Sequence, residues 1–279
     1  MPVISARMGV PCFIERTKPW QRKRVEMKSL LMFFAGLRME AFRFACLSLV
    51  AVVTCTAGDT EERVSLFNGK DLTGWDGASG WWTVEDGTIT SESTAEKPCK
   101  KANYLVWTGA QPSDFQLDCE FKVSDHANSG IHIRSERRPE QDMFGFQADM
   151  TGDGKLIGYI YHHQYCLVAE RGAEVVLPEN GKREAKLFGD AAALLKHYKP
   201  GEWNHYRIIC KGESITLFLN GVKMCDIVDR HAKPEARKGF IGLQMHPGPP
   251  MKVQFKDLQL TPLIPDGDEA SSNRDPKTP

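Results

Sequence analysis

The sequence has no surplus of charge: its 36 Lys and Arg are balanced by 36 Asp and Glu, and what imbalance exists is local. Residues 1 to 58 hold nine basic residues against three acids, which leaves 27 basic and 33 acidic residues for the rest. A mildly acidic body lacks the electropositive footprint that a phosphate backbone demands, so nucleic acid is excluded as a partner. No C-x-x-C pair occurs, which excludes a zinc ribbon and a thioredoxin-like motif. Three of the eight cysteines lie in the first 58 residues; the five others, Cys99, Cys119, Cys166, Cys210 and Cys225, are odd in number, so at least one is unpaired in a monomer. Cys119 and Cys210 alternate with apolar residues and read as small buried hydrophobes.

Long apolar runs are missing as well. Phe44 to Cys55 is twelve residues long, too short to cross a bilayer, so no transmembrane span is expected in the mature protein. Arg38 and Arg43 precede it and small residues ending at Ala57 follow, which is the layout of a secretory signal. Residues 1 to 58 are therefore read as a leader, with the signal peptide at 39 to 57 and an over-extended coding sequence upstream of Met39. Export to the periplasm or the extracellular space is expected. Lipid attachment at Cys55 is the lesser alternative, because Thr54 is unusual before a lipidated cysteine.

Helical periodicity is scarce, confined to Arg183 to Lys199 in the longest gap between strands. The segment Trp81 to Thr90 reads as strand, Asp-Gly turn, strand, a strong hairpin signal. In FQLDCEFKV, Phe115, Leu117, Cys119, Phe121 and Val123 alternate with Gln116, Asp118, Glu120 and Lys122, as in a half-buried strand. Val253 and Phe255 change parity to Leu258 and Leu260, which predicts a bulge near Asp257. Many short strands, no internal repeat and no strand-helix alternation predict an all-β sandwich or jelly roll over residues 59 to 262, with a disordered tail at 263 to 279.

Three of these strands carry chemistry. Ile131 and Ile133 point one way and His132 and Arg134 the other; Phe146 and Ala148 oppose Gln147 and Asp149; Leu243 and Met245 oppose Gln244 and His246. Solvated sheet faces are polar in any case. Faces that carry His, Arg, Gln and Asp, with almost no Lys or Thr, favour the floor of a polar cleft.

The ordered motifs SLFNGKDLTGW, SGIHIR, GFQADM, WNHYRIICKGESITLFLNG and GFIGLQMHPGPPMKVQFKDLQL resemble the DUF1080 family, also called the 3-keto-disaccharide hydrolase domain, over about residues 62 to 262. The resemblance implies a concanavalin-like jelly-roll sandwich of two antiparallel sheets, bacterial export, and action on glycosides oxidised at carbon 3 of the sugar. A ketone there acidifies the hydrogen on carbon 2, so one base can remove it; the enolate then expels the group at carbon 1, and water adds afterwards. That route needs a base, an electrophile over the ketone oxygen and a proton donor, not the paired carboxylates of ordinary glycosidases. The candidates are Asp149 or His132 as base, Arg134 as the cation facing the enolate and His246 as acid. Gln147, Gln244, Tyr161 and His163 would bind the sugar, and Trp81, Trp82 or Trp107 would stack on its ring unless they serve as core.

One departure stands out. Many relatives resemble WWGSLYDE after the QAD strand, whereas this chain reads LIGYIYHH, with His162 and His163 in place of the acidic pair. No cofactor is required by the reading, although a divalent metal held by His132, His162, His163 and His246 is an alternative. Asp149 to Gly154 imitates the start of a calcium loop but has Ile160 where the bidentate acid belongs, and so reads as a turn. A carbohydrate-binding, lectin-like module without catalysis is the competing class, because fold does not fix function. In either case the partner is a small-molecule carbohydrate.

Overall fold

The computed structural model describes residues 62–163, 166–180, 182–232 and 237–264. The leader and signal peptide, and the tail from residue 265, lie outside the described residues, as does the side chain of Cys166. The described residues belong to one compact unit, Thr60–Pro279.

Strands form where apolar residues recur with period two and end where a residue turns to positive φ. In chain order they are β1 (Val64–Ser65), β2 (Trp75–Gly77), β3 (Trp82–Glu85), β4 (Thr88–Ser93), β5 (Asn103–Trp107) and β6 (Phe115–Val123). The middle of the chain gives β7 (Asn128–Arg138), β8 (Asp142–Thr151), β9 (Ile160–His162), β10 (Cys166–Ala169), β11 (Ala173–Leu177) and β12 (Glu184–Leu187). The short helix α1 (Ala191–Leu195) precedes β13 (Asn204–Lys211), β14 (Ser214–Leu219), β15 (Val222–Asp229), β16 (Phe240–Met245) and β17 (Met251–Pro262).

These strands build two sheets, the jelly-roll sandwich expected from the sequence. One runs β12-β11-β15-β14-β13-β6-β17-β4-β3 with β1 added to β17; the other runs β10-β9-β8-β7-β16-β5-β2. Pairing is antiparallel throughout except between β11 and β15, which run parallel. The β3–β4 turn places Asp86 and Gly87 at φ 47° and 72°, the double positive-φ turn that an Asp-Gly pair favours. The bulge foreseen near Asp257 is present: Asp257 has φ 51° and the β17–β6 register shifts between Lys256 and Gln259.

Between the sheets lies one continuous core. Phe115, Leu117, Cys119 and Phe121 of β6 are all fully buried against Ile131 and Ile133 of β7 and Ile208 of β13. Each large apolar side chain so buried contributes about 1.5–3 kcal/mol. Asp118 faces outward as its parity requires, yet it too is covered, because Arg207 Nε, Gln116 Nε2 and His205 Nε2 converge on its carboxylate at 2.7 to 2.9 Å.

The helical segment is shorter than the sequence implied. Only Ala191–Leu195 is helical, capped by Asp190 Oδ1, which accepts from the Ala193 amide at 2.7 Å. Upstream, Glu184–Leu187 pairs with β11 as an exposed edge strand. A free sheet edge offers backbone partners that outweigh the weak helical pattern of EAKL.

Candidate active site

The polar cleft is built on the face of the seven-stranded sheet that turns away from the core. Pairing places His132 opposite Gln147 and Tyr104 opposite Gln244, while β7 joins β8 to β16. Gln147, Asp149, Gln244 and His246 line one cavity of about 300 Å³, together with Tyr104, Asn128, Leu156, Tyr161 and His163. Four residues chosen from alternation alone therefore meet, as do Tyr161 and His163.

The amide of Gln147 organises the floor. Its Nε2 donates to Asp149 Oδ1 at 2.6 Å and to Gln244 Oε1 at 3.1 Å, and Gln244 Nε2 donates to the Tyr104 hydroxyl at 3.2 Å. The opposing strand makes room: a Cβ on Gly130 would stand 2.4 Å from Gln147 Nε2. Gln147 Oε1 and His132 Nε2 are buried polar atoms without a partner. His132 Nδ1 lies 3.0 Å from Ser135 Oγ, whose hydroxyl donates to Ile133 O at 2.9 Å.

Asp149 is only 6% exposed, and no cation offsets its burial. Desolvation raises its carboxyl to about 7, against the lowering effect of the Gln147 bond. The histidines go the other way. Burial first, and neighbouring imidazole second, holds His132 well below its usual range and His162 down at about 4; His163 is also lowered, mainly by burial. Tyr104 is raised to about 12 by burial, and Tyr161 is raised by burial and by Asp149 beside it. At neutral pH the cleft thus presents two protonated phenols, the neutral imidazole of His163 and a carboxylate near its midpoint.

Two expectations need correction. Arg134 does not face the cleft. A bulge between Ile133 and Glu136 puts Arg134 at φ 46°, breaking the alternation, and its side chain crosses to the other sheet. There Nε donates to Ser113 O at 2.7 Å, Nη1 to Gly212 O at 2.9 Å and Nη2 to Asp114 Oδ1 at 3.0 Å. His132 is fully buried beneath the floor, between Tyr104 at 5.0 Å and His163 at 5.4 Å, where no substrate carbon can reach it.

The tryptophans also stand apart. Trp82 is core, its Nε1 donating to Asn103 Oδ1 at 2.9 Å. Trp107 sits at the far end of β5, paired with Trp75 and packed on the core. Trp81 lines a neighbouring hollow of about 410 Å³ with Lys100 and Glu140. The four histidines do not converge as ligands: His162 packs edge-on against Phe144 and Phe146, and among the described residues no three His, Cys, Asp or Glu side chains are placed to hold a metal. Tyr104 was missed by sequence reading; its partner Gln244 becomes visible only once β5 is known to pair with β16.

Among known proteins, the chain is 27% identical over 161 residues to a 3-keto-disaccharide hydrolase of Bacteroides thetaiotaomicron, matching 54% of this chain and 53% of that protein. The match thus spans about half the length of that curated relative. Two crystal structures from Parabacteroides distasonis, of proteins provisionally described as glycosyl hydrolases, align with the chain. One has a TM-score of 0.50 at 23% identity, covering 72% of this chain and all of that one. The other has a TM-score of 0.47 at 22% identity, covering 72% and 94%. With its sequence profile matched over residues 62–261, the chain belongs to the 3-keto-alpha-glucoside-1,2-lyase-like domain family.

Proposed function

We propose that this domain is an exported enzyme that cleaves 3-keto glycosides by elimination followed by hydration, with Asp149 as the base. The observation that carries the reading is a carboxylate buried at the floor of a hydroxyl- and amide-lined cavity, bonded by Gln147 and neutralised by no cation. A general base works best with its pKa near the operating pH, and burial supplies that here.

In the first step Asp149 takes the proton from carbon 2, and the C–H electron pair becomes the C2–C3 double bond of the enolate. With Arg134 directed elsewhere, the charge on oxygen 3 falls to neutral donors, the hydroxyls of Tyr104 and Tyr161. Because Tyr104 accepts from Gln244, its own proton remains to be donated. The enolate re-forms the ketone as the C1–O bond breaks, and His246 protonates the departing oxygen. The Nδ1–H of His246 donates to its neighbour's carbonyl, Pro247 O at 2.6 Å, which directs Nε2 outward, so the proton is given up from Nε2 of the imidazolium. Water then adds at carbon 1 and a proton returns to carbon 2, giving net hydrolysis.

The test is to incubate residues 59 to 279 with a 3-keto glucoside and follow release of the leaving group. Turnover that falls about 10²- to 10⁴-fold in Asp149→Asn supports the reading. The Gln147–Gln244–Tyr104 chain of amides and hydroxyl would equally suit a lectin-like binder. Tight sugar binding without any exchange of the carbon 2 hydrogen into solvent deuterium would favour that alternative.

A further inference from the structure

A second chamber of about 320 Å³ opens beside the first, and the two share Asn128, His246 and Pro247. Its walls have two characters. Pro247, Pro249 and Met251 give an apolar side; Asp125 and Asp153 give a carboxylate side. A sugar ring has the same division, with C–H faces for the first and hydroxyl groups for the second.

The carboxylate wall is built into the fold. Gly152 has no room for a side chain, since a Cβ there would stand 1.9 Å from Ser124 O and 2.6 Å from the Asp125 carbonyl carbon. The Gly152 amide donates to Ala127 O at 2.9 Å, which clamps the turn bearing Asp125 onto the turn bearing Asp153. Behind them the buried Arg171 donates to Gly154 O at 3.1 Å. Two segments locked backbone to backbone hold their side chains at a set spacing, as a binding wall requires.

We propose that this second chamber receives the leaving group, and that it takes an uncharged polyhydroxylated unit in preference to an anionic one. The assignment rests on the elimination reading only for its direction. His246, the group placed to protonate the departing oxygen, is common to both chambers, whereas the Trp81 hollow shares only Ala102 with the first. The charge preference follows from the lining. Asp153 is partly offset by Lys155 at 2.8 Å, and neither Lys nor Arg lines the chamber itself, whose basic groups are the imidazoles of His126 and His246. A uronate or phosphate would therefore meet two carboxylates with no permanent cation beside it.

Binding can be measured apart from catalysis on the Asp149→Asn protein, by calorimetric titration with three probes: methyl 3-keto-glucoside, a 3-keto disaccharide ending in glucose, and its glucuronate counterpart. The glucose-ended disaccharide is expected to bind about 10-fold more tightly than the methyl glycoside, or about 1.4 kcal/mol. The glucuronate should bind about fivefold more weakly than the glucose form at low ionic strength, with the gap closing in salt and in Asp125→Asn. Equal affinity for the methyl glycoside and the disaccharide would overturn the proposal, as would a charge gap unchanged in both Asp125→Asn and Asp153→Asn. Turnover of methyl 3-keto-glucoside by the unsubstituted protein judges the Asp149 assignment separately, and its absence leaves the binding comparison intact.

Discussion

Tyr206 reaches through the core from one sheet to donate its hydroxyl to the backbone carbonyl of Asp149 on the other, at 2.7 Å. The same oxygen accepts from the Gly158 amide at 2.7 Å, so one buried phenol ties β8 to the loop that follows it. Replacing it with phenylalanine keeps the ring but orphans a carbonyl and an amide in a dry site. Tyr206→Phe should lower unfolding free energy by about 2–4 kcal/mol, read as a shifted urea midpoint at constant m-value. An unchanged midpoint would mean that the two groups find other partners.

Asp149→Asn should stabilise the protein, and more so at high pH. The folded carboxyl is raised to about 7 from the ordinary 3.8, so between those values the folded state binds more protons than the unfolded one. Stability contributed by this residue is therefore greatest at low pH and is lost as pH rises through about 7. Above pH 8 the ionised carboxylate costs the native state about 4 kcal/mol, which the amide avoids. The melting temperature of Asp149→Asn should exceed the parent's clearly at pH 8 and by less than half as much at pH 5. His132 acts with the opposite sign: held neutral by burial, it costs stability as pH falls below its unfolded value.

Gln147→Leu should move the pH–rate profile. The amide bond at 2.6 Å favours the ionised carboxylate, and without it burial acts unopposed. The acidic limb of kcat/KM should shift upward by about one pH unit. A shift downward, or none, would show that Gln147 does not set the ionisation of the base.

Arg134→Met should unfold rather than inactivate. Removing the guanidinium leaves two carbonyls and the Asp114 carboxylate without their shared donor, at a cost of about 3–5 kcal/mol. Thermal melts should show the loss, while the fraction that remains folded should keep its kcat. A stable protein with a lowered kcat would return Arg134 to the cleft.

Alternation made much of this legible in the sequence. Gln147, Asp149 and Gln244 could be set on one face because their strands are regular and half-buried, and the turn residues Asp86 and Gly87 fixed a hairpin locally. What escaped was non-local. The parity of Arg134 fails at a bulge imposed by pairing between β7 and β8, and nothing in SGIHIRSE announces it. The edge strand Glu184–Leu187 exists because β11 offers it hydrogen bonds, and Tyr104 joins the site because β16 carries Gln244 opposite. The ionisation of Asp149 was likewise out of reach, since burial is a property of the whole fold.

Gly130 gives a way to read other sequences. It lies directly across from Asp149 in the strand pair, and the volume its side chain would fill is occupied by the Gln147 amide. A chain with alanine or anything larger at the corresponding place cannot seat that amide between carboxylate and imidazole. The two positions form a lock in which glycine on one strand permits glutamine on the next, so a pair of letters 17 apart tells whether a related chain carries the same cleft floor.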